Sequence, residues 1–228
     1  MGDTGTAGQR HGAGIDRTEE WEELRRRHLA PDGERPPSSA RGVHHVALFC
    51  ADVERTIGFY QGVLEFPLTE LFENRDYQGS THFFFDIGGT DSLAFFWFPD
   101  APDGVPGISA PAARPDNGDL VSAVGSMNHI AFQVAPERID EYRQALVDEG
   151  VACSDVINHD DSEWTISEDM YPGVYVRSVY FQDPDGILLE LAAWTRGFTS
   201  DDVAHAPATA AGERAATPST VAVAAEAL

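Results

Sequence analysis

Lysine is missing from this sequence. All 15 basic residues are arginines, set against 38 aspartates and glutamates, and the formal net charge is -23. Without lysine, the chain excludes Schiff-base chemistry on a lysine amine and any phosphate-binding loop built on a lysine. The negative charge also argues against nucleic acid or an anionic membrane as a partner, because phosphate groups would be repelled. Solubility alone, with no partner involved, explains the same charge.

Cysteines and long apolar runs are also scarce. Cys50 and Cys153 are the only cysteines, too few for a disulfide framework and without the spacing of a metal motif. No apolar run approaches the roughly 20 residues that a membrane span needs, and residues 1–14 lack the apolar segment of a secretion signal. The 42% hydrophobic and 10% aromatic content is typical of a globular chain. We therefore expect a soluble cytoplasmic protein with no membrane partner.

The two ends of the chain differ in composition from its middle. Residues 1–40 are Gly-rich, then charged, then Pro- and Ser-rich, which predicts a flexible leader. Within it, helical spacing of Trp21 and Leu24 favours one helix over 17–30. Residues 197–228 consist mainly of Ala, Thr, Asp and Glu, which predicts a disordered tail.

Between these ends the chain repeats one pattern of elements. Residues 41–98 and 126–196 each predict a strand, a helix and three further strands, joined by a Gly/Pro/Ala-rich linker over 99–125. The predicted elements are a strand at 43–50, a helix at 52–63 and strands at 69–72, 82–86 and 92–98, then a strand at 127–134, a helix at 136–149 and strands at 151–158, 174–182 and 187–193. Halves this small cannot bury a sheet face alone, so we predict one α+β domain of paired βαβββ modules with a curved mixed sheet.

Three residues stand at matching places in the repeat. His45 and His129 lie on the first strand of each module, and Glu190 lies on the last strand, all among apolar neighbours. A carboxylate in such surroundings is costly unless it is paired or metal-bound. Two imidazoles and one carboxylate suit Fe(II) best, then Mn(II), with Zn(II), Ni(II) and Co(II) also compatible. Taken singly, each residue also fits a hydrogen-bonded core position. His44, next to His45, is expected on the other sheet face.

Three strings resemble the vicinal oxygen chelate superfamily, which includes glyoxalase I, bleomycin-resistance proteins, fosfomycin-resistance enzymes and extradiol dioxygenases. They are His-Val-Ala-Leu-Phe from His45, Phe-Tyr-Gln-Gly-Val-Leu-Glu-Phe-Pro over 59–67, and Phe-Gln-Asp-Pro-Asp-Gly-Ile-Leu-Leu-Glu over 181–190. The resemblance covers residues 41–196. It implies paired βαβββ modules around a metal, a small-molecule substrate and compatibility with a homodimer, but it does not specify a reaction, because this fold hosts several chemistries.

The ligand pattern is similar to that of the extradiol branch. Glyoxalase-like members usually carry a fourth protein ligand on the last strand of the first module, and aligning 92–95 with 187–190 puts Phe95 there, which cannot bind a metal. Bleomycin-type binding members lack the ligands altogether. The resemblance therefore implies iron held by two His and one Glu. It also implies that Tyr180, ten residues before Glu190 in a Tyr-Phe-x-Asp-Pro string, points at the bound substrate; a core aromatic is the alternative.

The remaining site candidates are protic groups and aromatics. The acid/base histidine of many extradiol enzymes falls at Asp91 here, which could take that role or be a turn residue. His82 and His159 are alternative proton-transfer groups. Aromatic residues crowd the last two strands of the first module and could wall a catechol-like substrate or serve as core or interface; the substrate-contact candidates are Phe83, Phe95 and Trp97.

These patterns predict an Fe(II)-dependent dioxygenase, an oxidoreductase that acts on a small aromatic substrate with vicinal oxygens. A metal-dependent lyase, isomerase or thiol transferase that uses no dioxygen is the alternative within the same superfamily. A non-catalytic protein that binds a small molecule is the second alternative.

Overall fold

The computed structural model describes residues 18–106, 108, 123–162, 165–199 and 202. The beginning of the predicted leader, most of the predicted linker and nearly all of the predicted tail lie outside these residues. The described residues form two compact units: a larger one of residues 38–106, 108, 123–156 and 178–193, and a smaller one of residues 18–37, 157–162, 165–177, 194–199 and 202. None of the helices in these ranges combines the length and apolarity that crossing a bilayer requires.

Three α-helices and nine strands make up the described secondary structure. The helices are α1 (Thr18–His28), α2 (Val53–Ile57), which continues as a π-helical turn (Gly58–Val63), and α3 (Ile139–Asp148), which follows a 3₁₀ turn (Pro136–Arg138); a second 3₁₀ turn spans Asp32–Glu34. The strands are β1 (His45–Phe49), β2 (Leu68–Phe72), β3 (Thr81–Asp86), β4 (Ser92–Trp97), β5 (Ile130–Gln133), β6 (Ile157–His159), β7 (Ile166–Ser167), β8 (Val176–Gln182) and β9 (Leu188–Trp194).

The two modules of the larger unit share one strand order. In the first, the order is β1-β4-β3-β2, and β1 is parallel to β4. In the second, β5, β9 and β8 are adjacent in that order, and β5 is parallel to β9. Each module thus pairs its first strand with its last, which confirms the predicted α+β fold. Asp52 caps the N-terminus of α2, since its Oδ1 accepts from the Arg55 N–H at 2.8 Å.

The predicted strand over 151–158 is wrong in its first part. Only an isolated bridge, Cys153 to Phe181, forms there before β6 begins at Ile157. Ser154 explains the interruption, because its hydroxyl oxygen takes the place of a backbone acceptor for the Tyr180 N–H at 2.9 Å. A side chain that bonds the neighbouring backbone competes in this way with a regular ladder. In the smaller unit, β6 pairs with β7, which the sequence analysis did not predict.

One hydrophobic core joins both modules of the larger unit. Alternate residues of each sheet point into it, and its members include Phe83, Phe85, Leu93 and Phe95 from the first module and Phe132, Phe181, Leu189 and Leu191 from the second. The opposite face of the first sheet is more open: Phe49 is 61% exposed and Phe72 is 45% exposed. The two faces of this sheet therefore have different roles, one structural and one accessible.

The Asp-Pro-Asp-Gly turn of the second module is fastened to the helix of the first. The Asp183 carboxylate accepts from the Tyr60 hydroxyl at 3.0 Å and from the backbone N–H groups of Asp185 and Ile187 at 2.9 and 2.8 Å. Arg55 forms an ion pair with Asp185. Gly186 closes the turn with a φ of 80°, which favours glycine. Burial raises the pKa of Asp183 to about 6, although the bonds from Ile187 and Tyr60 act in the opposite direction.

We expect the Asp183→Asn variant to change how stability depends on pH. Because the folded-state pKa of Asp183 is raised from 3.8 to about 6, its contribution to stability is full below pH 4 and is lost as the pH rises through 6. The loss amounts to about 3 kcal/mol in the free energy of unfolding. Urea unfolding at pH 4 to 7 should show this decline in the wild type and in an Asp76→Asn control, which alters an exposed carboxyl. An equal decline in Asp183→Asn would contradict the assignment.

Candidate metal centre

Glu190 is the centre of a polar cluster in the second module. Its carboxylate is 6% exposed and lies between hydrogen-bond donors from β8: the Ser178 hydroxyl bonds Oε1, and the Tyr180 side chain also bonds the carboxylate. His129 Nε2 lies 2.9 Å from Oε2. Burial alone would raise the pKa of Glu190, but the bonds from His129, Ser178 and Tyr180 outweigh it and hold the pKa below its ordinary value.

The His129 ring is held from both sides. Its Nδ1 lies 2.7 Å from Asn128 Oδ1, and its ring meets the Tyr180 ring edge-to-face with centroids 5.8 Å apart. Since the amide oxygen only accepts, Nδ1 carries the proton. The Nε2 lone pair then faces the Glu190 carboxylate, an arrangement that is repulsive unless a proton or a metal cation lies between the two atoms.

The spacing of this pair fits metal ligands. Two adjacent ligands on an octahedral ion with bonds of about 2.1 Å lie about 3.0 Å apart. The separation of 2.9 Å between His129 Nε2 and Glu190 Oε2 matches that value. A neutral imidazole whose other nitrogen is hydrogen-bonded, beside a carboxylate that is itself hydrogen-bonded, is the usual supported donor set of a protein metal site. These residues therefore fit a divalent cation.

The structure does not bring His45 to this pair. His45 is exposed at the start of β1, its Nδ1 lies 2.8 Å from His44 Nδ1, and its ring faces Phe84. Within the described ranges, no group of three or more His, Cys, Asp or Glu side chains is arranged to hold a metal. The expectation that His44 points to the other face is wrong: the two rings touch, because His44 precedes β1 and the alternation of a strand does not apply to it.

The three predicted proton-transfer groups are Asp91, His82 and His159. Asp91 is in the β3–β4 turn, where its N–H donates to the Gly88 carbonyl at 3.1 Å. His82 lies on β3 and uses Nδ1 to donate to the Phe95 carbonyl at 2.8 Å. His159 belongs to the smaller unit, where its carbonyl accepts from the Tyr175 N–H.

The aromatic candidates lie on the core side of the first sheet. Phe83 and Phe95 are completely buried and stack on each other with centroids 5.6 Å apart, and Trp97 donates its indole N–H to the Ala51 carbonyl at 3.0 Å. The face that carries His45 presents other rings. These are His82, Phe84, Phe96, Phe98, Phe49 and Phe72, joined by contacts such as the stack of His82 on Phe96 with centroids 3.7 Å apart.

Strand pairing also corrects the alignment that put Phe95 at the place of Glu190. In the second module Ala131 is paired with Glu190, and in the first module Ala47 is paired with Ala94. Ala94 therefore occupies the matching position, and Phe95 points to the opposite face, since a shift of one residue reverses the side of a strand. The consequence for metal binding is unchanged, because alanine offers no ligand either.

Residues 42–191 match the family model of the glyoxalase/bleomycin resistance protein/dioxygenase superfamily, which spans both modules and the Glu190 cluster. The chain belongs to this superfamily. Its members include metal-dependent enzymes that act on small molecules, and they bind divalent metals. The family model says nothing of the leader or of the tail.

Several members resemble the chain over about two thirds of its length. "Glyoxylase I 4" of Arabidopsis thaliana is 26% identical and is covered over 72% of its length by 68% of this chain. The uncharacterized protein YwkD of Bacillus subtilis is 26% identical, with 95% of its length and 66% of this chain covered. The solved structure of the fosfomycin resistance protein FosX of Listeria monocytogenes, complexed with Mn(II) and sulfate, is 23% identical with a TM-score of 0.42, over 68% of this chain and 94% of that chain.

Two residues of the cluster escaped the sequence analysis. Ser178 lies two residues before Tyr180 on β8, so strand alternation alone puts both on one face, and that signal was available. Asn128 precedes His129, and no periodicity marks it. Both touch a proposed ligand rather than act as one.

We expect Glu190→Gln to lose divalent metal binding. The amide keeps the size of the side chain but removes the negative charge that a cation requires, so the loss of affinity should exceed the roughly 10–100-fold that an outer partner costs. Titration calorimetry with Mn(II) and metal analysis after dialysis would measure it, with Glu137→Gln, an exposed carboxylate, as control. Full metal occupancy in Glu190→Gln would refute the assignment.

Proposed function

We propose that the chain is a metal-dependent dioxygenase that uses Fe(II) on a small aromatic substrate with vicinal oxygens. His129 and Glu190 supply two ligands and His45 the third. The observation that carries this proposal is the separation of 2.9 Å between His129 Nε2 and the buried Glu190 carboxylate, both already held by outer hydrogen bonds.

The donor set favours iron over the other divalent metals. Two imidazoles and one carboxylate, with no fourth protein ligand because Ala94 stands at that position, leave coordination positions open as in non-haem Fe(II) oxygenases. Mn(II), Zn(II), Ni(II) and Co(II) remain compatible with the same donors. When bound, a divalent ion would chelate two adjacent substrate oxygens and lower the pKa of their hydroxyl groups.

Tyr180 is a protic residue that contacts both members of the ligand pair. Its hydroxyl bonds Glu190, and its ring packs against His129. From that place it can donate a hydrogen bond either to the carboxylate or to a substrate oxygen beside it. In the proposed reaction Tyr180 stabilises negative charge that develops on oxygen, the role of a preorganised donor.

The open face of the first sheet supplies the apolar wall. His82, Phe84 and Phe96 pack together on the side of the sheet that carries His45. Flat rings that line a cavity favour a flat, apolar ligand body, while the metal end of the site takes its oxygens. This supports an aromatic, catechol-like substrate. His82 is then the protic group on that wall, while Phe83, Phe95 and Trp97 are assigned to the core.

A homodimer would complete the ligand set. The shared core lies on one side of both sheets, and His45 and Glu190 lie on the faces turned away from it, since their strand neighbours Val46 and Leu189 belong to that core. A second copy that covers the open face of the first sheet would bury Phe49 and Phe72. In such a dimer, His45 of each copy would lie beside the His129–Glu190 pair of the other copy. Closed two-fold dimers are the commonest oligomers.

The test of function is dioxygen uptake by protein purified without oxygen and loaded with Fe(II). A panel of catechols and hydroxylated aromatics would be followed with an oxygen electrode and by the absorbance of ring-opened product. We expect uptake that requires iron, disappears in His129→Ala and falls at least 10-fold in Tyr180→Phe, which removes one donor to the reacting oxygen. Glu137→Gln, an exposed carboxylate outside the ligand cluster and the aromatic face, is the control.

The other outcomes decide between the alternatives. Stoichiometric metal without uptake on any member of the panel, but with turnover under Mn(II), Zn(II) or Ni(II), would overturn the dioxygenase and favour a lyase, isomerase or thiol transferase. A tightly bound small molecule that no chelator displaces, without metal or product, would overturn both enzymes in favour of a binding protein.

Mixed dimers test the origin of the third ligand. We expect neither His45→Ala nor Glu190→Gln alone to retain tight metal. When the two variants are unfolded together and refolded in equal amounts, random pairing restores about a quarter of the wild-type sites, because half of the dimers then hold one intact site. Metal content and light scattering measure this result. A monomer in solution, or no restored metal, would show that the site is not shared.

A further inference from the structure

We propose that the residue immediately before each ligand histidine, His44 in the first module and Asn128 in the second, is a positioning residue that presents Nε2 of that histidine as the ligand atom. The inference builds on the proposed function, because it concerns how this chain prepares its own side chains for the metal. It adds two residues that have no ligand role themselves.

The same contact occurs in both halves of the repeat. Asn128 Oδ1 lies 2.7 Å from His129 Nδ1, and His44 Nδ1 lies 2.8 Å from His45 Nδ1. In each case the partner is the preceding residue and the bonded atom is Nδ1. The residue types differ, an amide in one module and an imidazole in the other. Both modules therefore have the same contact to Nδ1, made by different side chains.

This contact selects which nitrogen is available. A neutral imidazole has one N–H and one lone pair, and the group bonded to one nitrogen decides the state of the other. An amide oxygen only accepts, so Asn128 places the proton of His129 on Nδ1 and leaves the lone pair on Nε2. His44 does the same for His45 when its own proton is on Nε2, since its Nδ1 then accepts. Asn128 thereby prepares His129 to bind a metal through Nε2, and this tautomer of His44 would prepare His45 in the same way.

The backbone explains how neighbouring side chains can meet. Consecutive residues of a regular strand point to opposite faces. His44 precedes β1, and Asn128 precedes β5 by two residues, so neither obeys that alternation. The chain enters the sheet just after the positioning residue, which lets that side chain turn back to the ring that follows it.

Long-range ¹H–¹⁵N NMR of the metal-free, full-length protein tests the inference without any metal or substrate. We expect a proton on Nδ1 of both His45 and His129 in the wild type. In Asn128→Leu the proton on His129 Nδ1 should be lost, which leaves Nε2 as the only protonated nitrogen beside Glu190, whereas Gln133→Leu, an exposed position on β5, should keep the proton on Nδ1. A wild-type His129 with its proton on Nε2 alone would overturn the inference for the second module.

Zn(II) affinity supplies the second readout. We expect Asn128→Leu and His44→Leu to weaken Zn(II) binding about 10–100-fold, the usual effect of losing an outer partner. Asn128→Asp and His44→Asn, which keep an acceptor at the same place, should restore affinity to within about 3-fold, a rescue that a packing role would not produce. Thermal melts establish that each variant is folded.

The two readouts separate the failures. If the wild type binds no Zn(II) while the tautomers respond as described, the proposed function fails and the positioning role stands. If Zn(II) binds tightly but neither the tautomers nor the affinity respond to the leucine variants, the positioning role is wrong and the metal site stands.

Discussion

The buried carboxylate of Asp183 is the constraint on which the arrangement of the two modules depends. A charge in that place is costly unless donors surround it, and here the turn supplies two N–H groups while Tyr60 of the first module supplies a hydroxyl. Tyr60 is itself packed in the aromatic core, with its ring centroid 4.9 Å from that of Phe95. The turn leads directly into β9, which carries Glu190. The hydrogen bond between Tyr60 and Asp183 therefore also helps to position Glu190 beside His129.

Because side chains alternate along a strand, one face of each sheet packs in the core and the other face carries the candidate site residues. In β9, Leu189 and Leu191 belong to the core while Glu190 between them faces its polar partners. In β4 the same rule sends Phe95 into the core and leaves Ala94 at the place that corresponds to Glu190. Because one residue separates a core position from a site position, an aromatic run such as that of β3 and β4 contains both kinds, and only the pairing register tells them apart.

The sequence alone predicted the repeated modules and the special surroundings of the buried Glu190 carboxylate. The duplicated pattern predicted both modules, and the cost of burying a carboxylate among aliphatic residues predicted that Glu190 is paired or metal-bound. His129 was named with it as a metal ligand, whereas Tyr180 was expected to point at the substrate and its bond to Glu190 was not predicted. Side-chain contacts outside the periodic elements could not be predicted: nothing in the order of residues shows that Ser154 replaces a ladder bond or that His44 turns toward His45. The sequence also could not show that Phe83, Phe95 and Trp97 lie on the core side of the first sheet, because a run of aromatic residues does not reveal its pairing register.

The two modules share one strand order but differ in the ligands they offer. Parallel pairing of the first and last strands sets His129 beside Glu190 although they are far apart in the sequence. In the first module the same pairing sets His45 beside Ser92 and puts Ala94 at the place of Glu190, so no carboxylate is available there. The His45 ring instead contacts an aromatic face through Phe84. In the proposed site the second half therefore holds the metal, and the first half contributes one ligand and shapes the substrate space. Changes on that open face could alter the chemistry without disturbing the core, because the core lies on the other side of the same strands.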